Sequence, residues 1–134
     1  MKKRRARDGV RLEPLQPGTR PRLGDGHARA PRHLPGGDVL EHELGRELAR
    51  AAELQNALSA EGTRALLVVL QGMDASGKDG TVRRVIGTFN PQATAVTGFR
   101  RPTELEHRHD FLWRVHQAVP PAGTVGVFNR SHYE

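Results

Sequence analysis

The residues best suited to chemistry lie in one short segment, GMDASGKD, at positions 72–79. The segment fits the pattern G-x-x-x-x-G-K through Lys78, and in this pattern small and glycine residues let backbone N–H groups point inward at a chain of phosphates. The N-terminus of a following helix adds partial positive charge, and Lys78 supplies a full charge. The predicted phosphate-binding residues are Gly72, Ala75, Ser76, Gly77, Lys78, Asp79 and Gly80.

Lys78 is the only lysine after position 3, in a chain that has 18 arginines and three lysines. Because the rest of the chain uses arginine for positive charge, a lysine at this place indicates that a compact ammonium group is needed inside the loop. The alternative is a glycine-containing turn that serves packing alone. The motif and its lysine favour phosphate binding over that alternative.

Two aspartates distinguish this loop from the usual pattern. Asp79 stands where a serine or threonine normally offers a hydroxyl to Mg²⁺, and a carboxylate can take that place because Mg²⁺ prefers oxygen ligands. Asp74 lies within the loop, where a carboxylate would repel phosphate unless a cation or a transferable proton lay between them. We therefore expect Asp74 to bind Mg²⁺ or to steer an attacking phosphate oxygen. The alternative is an aspartate that makes turn hydrogen bonds.

The surrounding sequence predicts the elements that position this loop. Apolar residues recur every three or four positions between Asp38 and Gly62, which predicts a helix whose apolar stripe packs in the core. The apolar run at 66–70 predicts a strand that is covered on both faces. The segments that follow are a helix at 81–89, a strand at 93–99, a helix at 102–119 and a strand at 124–128. Thr103 and Glu106 form a capping-box pattern at the start of the third helix. This alternation predicts an α/β layered sheet.

Composition and charge narrow the classes of function. The absence of cysteine excludes a disulfide scaffold and a cysteine-ligated metal. The longest apolar run, residues 65–70, is too short for a membrane span or a signal-peptide core, so we expect a cytoplasmic protein. Residues 1–35 hold ten Lys/Arg and three Asp/Glu, whereas residues 36–134 hold 11 and 12, so the net charge of +6 comes from the N-terminal segment. We interpret residues 1–35 as a basic, Pro/Gly-rich disordered arm that either attracts a polyanion or is simply solvated.

Four blocks of sequence together resemble the polyphosphate kinase 2 family. They are residues 67–83, 89–92, 109–114 and 128–134. The resemblance covers about residues 38–134 and implies a P-loop NTPase-like fold, a three-layer parallel α/β sheet that stops here after its third strand. It also implies Mg²⁺-dependent phosphoryl transfer between inorganic polyphosphate and ADP or AMP, with ATP among the nucleotides handled. No membrane or specific nucleic acid is expected as a partner, and a homo-oligomer is left open.

The same resemblance implies roles for individual residues. Asp74, Lys78 and Arg130 would be the catalytic residues. Asn129 stands where many members have an aspartate, and its carbonyl can coordinate a metal without bringing charge, so more of the neutralisation would fall on Asp74 and Asp79. The arginines for which a polyphosphate contact is weighed against an ordinary surface position are Arg83, Arg84, Arg100 and Arg101. The residues of the other two blocks are His109, Asp110, Trp113, His132 and Tyr133, of which Trp113 is expected to be structural.

Members of the family are longer than 134 residues, so the resemblance leads us to expect that this chain is an N-terminal piece of the enzyme. The remainder would carry further strands and a helical lid. Two alternatives are kept. One is another small-molecule P-loop kinase, and the other is a non-catalytic remnant that binds phosphate or polyphosphate.

We expect the 134-residue chain by itself to be of low stability or to aggregate, and to have little or no kinase activity. The reason is that an unpaired sheet edge and its apolar surface would be exposed to solvent. Thermal unfolding followed by circular dichroism, together with an assay of ATP made from polyphosphate and ADP or AMP, checks this expectation. A sharp cooperative melt combined with measurable ATP synthesis would contradict it.

Overall fold

The computed structural model describes residues 16–18, 20 and 36–132, so most of the predicted basic arm lies outside the described residues. The chain divides into two compact units, Met1–Glu43 and Leu44–Glu134, and the sheet and the candidate site belong to the second. The elements are helix α1 (Gly37–Glu61), strand β1 (Leu66–Leu70), helix α2 (Lys78–Arg84), strand β2 (Thr94–Gly98), helix α3 (Trp113–Ala118) and strand β3 (Val125–Asn129). Short 3₁₀ turns lie at Ile86–Thr88, Pro91–Ala93 and Glu106–Arg108.

The three strands are parallel and follow the order β1-β3-β2, which confirms the predicted α/β class. Strand β3 lies in the middle, and four of its five residues are buried. In β1, by contrast, Leu67 and Val69 are 39% and 45% exposed. The prediction that this run is covered on both faces is therefore wrong for the described residues. Side chains alternate across a strand, and only the face that carries Val68 and Leu70 packs against the core.

The two faces of β3 contact different parts of the chain. Val125 and Val127 point to one face, where they form the core cluster with Ile86. The partly buried residues that pack against this cluster are Leu58, Val68, Leu70, Val82, Val85 and Phe89. On the other face, the rings of Phe128 and Phe99 meet edge to face at 4.9 Å. The sheet therefore has α1 and α2 on one side and the segment that carries Phe99 and α3 on the other.

Helix α1 covers the predicted span from Asp38 nearly to Gly62, but its predicted apolar stripe is only partly packed. Leu40 and Leu54 remain 41% and 61% exposed. The residue of α1 that is fully buried is Gln55, whose amide accepts a hydrogen bond from the backbone N–H of residue 90 and donates one to the carbonyl of residue 93. A buried glutamine needs such partners, so it connects α1 to the start of β2. Within the described part of the chain, no helix is long and apolar enough to cross a membrane.

The second and third helices differ from their predicted bounds. Helix α2 begins at Lys78, three residues earlier than predicted, and passes into a 3₁₀ turn after Arg84. The predicted capping pair does form at the third helix, because Thr103 Oγ1 accepts from the N–H of Glu106 and Glu106 Oε2 accepts from the N–H of Thr103. The hydrogen bond from the backbone N–H of Thr103 is the main cause of the lowered pKa of Glu106. The predicted continuous helix is nevertheless wrong, because Asp110 Oδ1 accepts from the N–H of residue 112 and forms an Asx turn that separates a single 3₁₀ turn from α3.

Gly126→Ala should lower the stability of the sheet. A Cβ at this position would lie 2.7 Å from Cγ of the buried Pro120, and the pyrrolidine ring cannot move aside cheaply. Overpacking of this kind costs about 1–3 kcal/mol. Gly98→Ala, at a β2 position where a Cβ meets nothing within 4 Å, is the matched control. Urea unfolding should show a lower midpoint for Gly126→Ala only, and equal midpoints for the two variants would contradict the packing argument.

Candidate active site

The candidate site lies where the carboxyl ends of β1 and β3 meet. The two strands are in parallel register with Leu70 opposite Asn129, and the backbone N–H of Arg130 donates to the carbonyl of Leu70 at 3.0 Å. One residue further on, the hydroxyl of the buried Ser131 donates to Gln71 Oε1 at 2.8 Å. These contacts bring the segment after β3 against the start of residues 72–79, the predicted phosphate loop. Open α/β sheets bind their ligands at this position, beyond the carboxyl ends of the strands.

The loop that follows β1 depends on residues with positive φ. Ala75 has φ 60°, and Gly77 has φ 88° directly before the first residue of α2. Gly72 lies close to the other end of the loop, because a Cβ there would lie 2.8 Å from Ser76 Oγ, and that hydroxyl would have to rotate away. The loop therefore folds back on itself and leads into α2, as the glycine spacing predicts.

The ammonium group of Lys78 lies over this loop. Its Nζ donates to the carbonyl oxygens of Gly72 at 2.5 Å and of Met73 at 2.9 Å. Lys78 is also the first residue of α2, so its side chain joins the start of this helix to the backbone of the loop. The contact keeps the charge at the loop, where the sequence predicts that it meets phosphate.

Arg130 connects the end of β3 to the phosphate loop. Its Nη2 donates to Asp74 Oδ1 at 2.6 Å, across 56 residues of sequence. Arg130 has φ 74°, a conformation that is uncommon for a residue with a side chain and is frequent at functional sites. The Asp74 side chain is 86% exposed, so the ion pair adds little stability but places the guanidinium beside the loop.

Asn129 connects the same strand to α2. Its Nδ2 donates to Asp79 Oδ1 at 2.6 Å, and its own Oδ1 is buried with no hydrogen-bond partner among the described residues. Two successive residues at the end of β3 thus each hold one of the two aspartates that the sequence singles out. The sequence singles out Asn129, Arg130 and the two aspartates by their residue types. Which of them contact each other follows only from the position of β3 beside β1.

One cavity of about 340 Å³ brings most of the predicted site residues together. The residues that line it are Asp74, Ala75, Ser76, Gly77, Lys78, Asp79, Gly80, Arg83, Asn129 and Arg130. The predicted residues that do not line it are Gly72, Arg84, Arg100 and Arg101. Gly72 instead shapes the loop against Ser76, and the backbone carbonyl of Arg100 accepts from Arg114 Nη1 at 2.7 Å. The roles of all these residues stay predictions.

The block that contains Trp113 forms a separate aromatic group. The rings of His109 and Trp113 stack at 4.1 Å with an interplanar angle of 8°, and those of Phe111 and His132 lie 5.8 Å apart. Trp113 therefore packs against His109 within this block, and its structural role stays a prediction. Tyr133 lies outside the described residues. Arg114, which the sequence analysis did not single out, lies over the ring of Phe99 at 5.1 Å and within 3.7 Å of Glu106 Oε2.

Comparison with known proteins matches the part of the chain that contains the sheet and the candidate site. The family model described as "Polyphosphate kinase 2 (PPK2)" matches residues 37–134. The chain belongs to this family.

Two curated relatives are similar to this chain in sequence. The AMP/ADP-polyphosphate phosphotransferase of Meiothermus ruber is 55% identical over 85 residues, which are 63% of this chain and 32% of the relative. The ADP-polyphosphate phosphotransferase of Rhodopseudomonas palustris is 47% identical over 94 residues, 69% of this chain and 32% of the relative. The chain therefore spans about a third of the length of these relatives.

A solved member of the family has the same fold. The crystal structure of polyphosphate kinase 2 from Arthrobacter aurescens TC1 is similar with a TM-score of 0.78 and 40% identity, over 89% of this chain and 44% of that chain. A second solved structure, of a protein from Pseudomonas aeruginosa, gives a TM-score of 0.68 at 31% identity, over 74% of this chain and 21% of that chain. These likenesses confirm the resemblance and the predicted fold.

The carboxylate of Asp74, which pairs with Arg130, should oppose the binding of phosphate in the absence of a divalent cation. Asp74→Asn removes one negative charge and one acceptor for the guanidinium, so the affinity for inorganic tripolyphosphate in chelator should rise about fivefold, which corresponds to roughly 1 kcal/mol between close charges near water. Arg130→Gln should weaken the same binding. Isothermal titration calorimetry measures both effects. Glu53→Gln, which removes an exposed charge from α1, is the control, and an equal gain in that variant would contradict a local effect.

Proposed function

We propose that this chain provides the phosphate-binding part of a phosphotransferase that moves phosphoryl groups between inorganic polyphosphate and a nucleoside mono- or diphosphate, ADP or AMP. The observation that carries the proposal is the single cavity in which the loop, Lys78 and Arg130 meet at the carboxyl ends of β1 and β3. The names of the relatives support the substrates, because they describe phosphotransferases of AMP, ADP and polyphosphate.

The proposed reaction exchanges one phosphorus–oxygen bond for another. The bond that joins the terminal phosphoryl group to the polyphosphate chain breaks, and a bond to a phosphate oxygen of the nucleotide forms. Such a transfer asks the protein for positioning and for charge neutralisation rather than for covalent chemistry. Lys78 and Arg130 would supply both, since each now donates to an oxygen of the loop that a phosphate oxygen would replace.

We further propose Mg²⁺ as the metal, with Asp74 and Asp79 as its protein ligands. Among residues 36–132, no three His, Asp or Glu side chains lie close enough to hold a metal by themselves. Mg²⁺ is commonly held by one or two carboxylates together with substrate phosphates, so two carboxylates in one cavity fit its requirements. When bound, the ion would offset the charge of the phosphates. Asp74 has a second possible role under this proposal, to steer the attacking phosphate oxygen.

The remaining expectations stay predictions. Of the four arginines weighed for polyphosphate, Arg83 has the best support because it lines the cavity. Asn129, predicted as a third metal ligand, presents its Nδ2 rather than its carbonyl to Asp79. The cytoplasmic location, a basic arm at residues 1–35 and a homo-oligomer rest on the sequence alone.

Lys78→Ala tests the proposed function. Loss of a charge-assisted contact to phosphate is worth about 1.5–3 kcal/mol, so the affinity of the chain for tripolyphosphate should fall roughly tenfold or more. Any transfer from polyphosphate to ADP or AMP should fall by orders of magnitude. Calorimetry and a luminescent assay of ATP measure the two effects.

Two comparisons separate the proposal from its alternatives. The same Lys78→Ala change in a chain that lacks residues 1–35 isolates the cavity from the basic arm, and undiminished binding of tripolyphosphate by that variant would contradict a phosphate site at the loop. Transfer that proceeds from ATP but not from polyphosphate would identify another kind of small-molecule kinase.

A further inference from the structure

The two aspartates of the cavity are held in different ways. Asp74 faces a cation, the guanidinium of Arg130, at 2.6 Å. Asp79 faces a neutral donor, the amide of Asn129, also at 2.6 Å. A metal ion that binds both carboxylates would therefore find Asp74 beside a positive charge. It would find Asp79 oriented by a neutral amide, with its negative charge not offset.

The backbone of Asn129 is held firmly in place. It is the last residue of the central strand, in register with Leu70 on one side and Gly98 on the other. Its carbonyl accepts from the N–H of Phe99 at 3.1 Å. The side chain thus projects from a fixed point toward Asp79, in the first turn of α2.

The orientation of the amide follows from its partner. If the amide were reversed, Asn129 Oδ1 would face the carboxylate of Asp79, and two acceptors would repel each other. In the observed orientation Nδ2 donates to Asp79, and Oδ1 is buried without a hydrogen-bond partner in the part of the chain that the structure describes. An unpaired buried carbonyl is unfavourable, so the contact with Asp79 outweighs that cost.

We propose that Asn129 is a positioning residue, which holds the Asp79 carboxylate in the cavity so that it can take up a divalent cation together with phosphate. This inference rests on the proposed function, and it replaces the predicted role of Asn129 as a direct metal ligand. Hydrogen bonds to ligating carboxylates commonly change metal affinity by tenfold or more. Asn129 acts through Asp79 and needs no contact with the cation.

The experiment measures how much Mg²⁺ increases the affinity of the full 134-residue chain for inorganic tripolyphosphate. Calorimetry with excess Mg²⁺ and with chelator gives two affinities, and their ratio is the gain due to the cation. Asn129→Ala should reduce this gain roughly tenfold and leave the affinity in chelator nearly unchanged. In the Asp79→Asn background, where Asp74 is the remaining carboxylate ligand, the same Asn129→Ala change should have no effect on the gain, because residue 79 has no carboxylate to be positioned.

Three results would overturn the inference. An equal loss of gain in both backgrounds would show that Asn129 binds the cation directly. An unchanged gain in Asn129→Ala would show that the contact has no bearing on the cation. A parallel fall of both affinities would show a structural defect only. The unaltered chain failing to bind tripolyphosphate at all would instead contradict the proposed function.

A second substitution guards against a failure of Asn129→Ala to fold. Asn129→Leu keeps nearly the same side-chain size and shape but removes the amide that donates to Asp79. Its gain should fall roughly tenfold, as in Asn129→Ala. A gain equal to that of the unaltered chain would also overturn the inference. Urea unfolding of every variant shows which of them are folded.

Discussion

The parallel pairing of β1 with β3 is the interaction on which the candidate site depends. The phosphate loop begins directly after β1, and Asn129 and Arg130 follow at the end of β3. The register that sets Leu70 opposite Asn129, and the bond from the Arg130 N–H to the Leu70 carbonyl, bring these two segments within hydrogen-bond distance. A shift of one residue would turn every side chain of β3 to the other face, which would bury polar groups and remove them from the loop.

The charged side chains Lys78, Arg130, Asp74 and Asp79 already have hydrogen-bond partners within the site. Lys78 donates to carbonyl oxygens of the loop, Arg130 to Asp74, and Asn129 to Asp79. A polyanion that enters the cavity therefore exchanges these contacts for new ones rather than meeting bare cations. This explains how two carboxylates can lie in a site that we propose binds phosphate. The same carboxylates hold the guanidinium and the amide in place and would then be available to a divalent cation.

Much of the fold could be read from the sequence, and the parts that could not have identifiable causes. The three strands and their order along the chain follow from short apolar runs. The exposure of Leu67 and Val69 does not, because an apolar run contains no information about which face lacks a cover. The burial of Gln55 was equally hidden, since a polar residue on a helix is normally assigned to solvent and only its two backbone partners justify its place in the interior.

The sequence by itself was enough to predict the chemistry. The G-x-x-x-x-G-K spacing, the only lysine after position 3 and the two aspartates predict a phosphate loop, because local glycine placement and side-chain charge suffice to define one. The tertiary structure alone decided the partners of those residues. Arg130 is 56 positions from Asp74 and Asn129 is 50 from Asp79, and no local preference connects positions so far apart. Only the insertion of β3 beside β1, driven by the burial of Val125, Val127 and Phe128, brings them together.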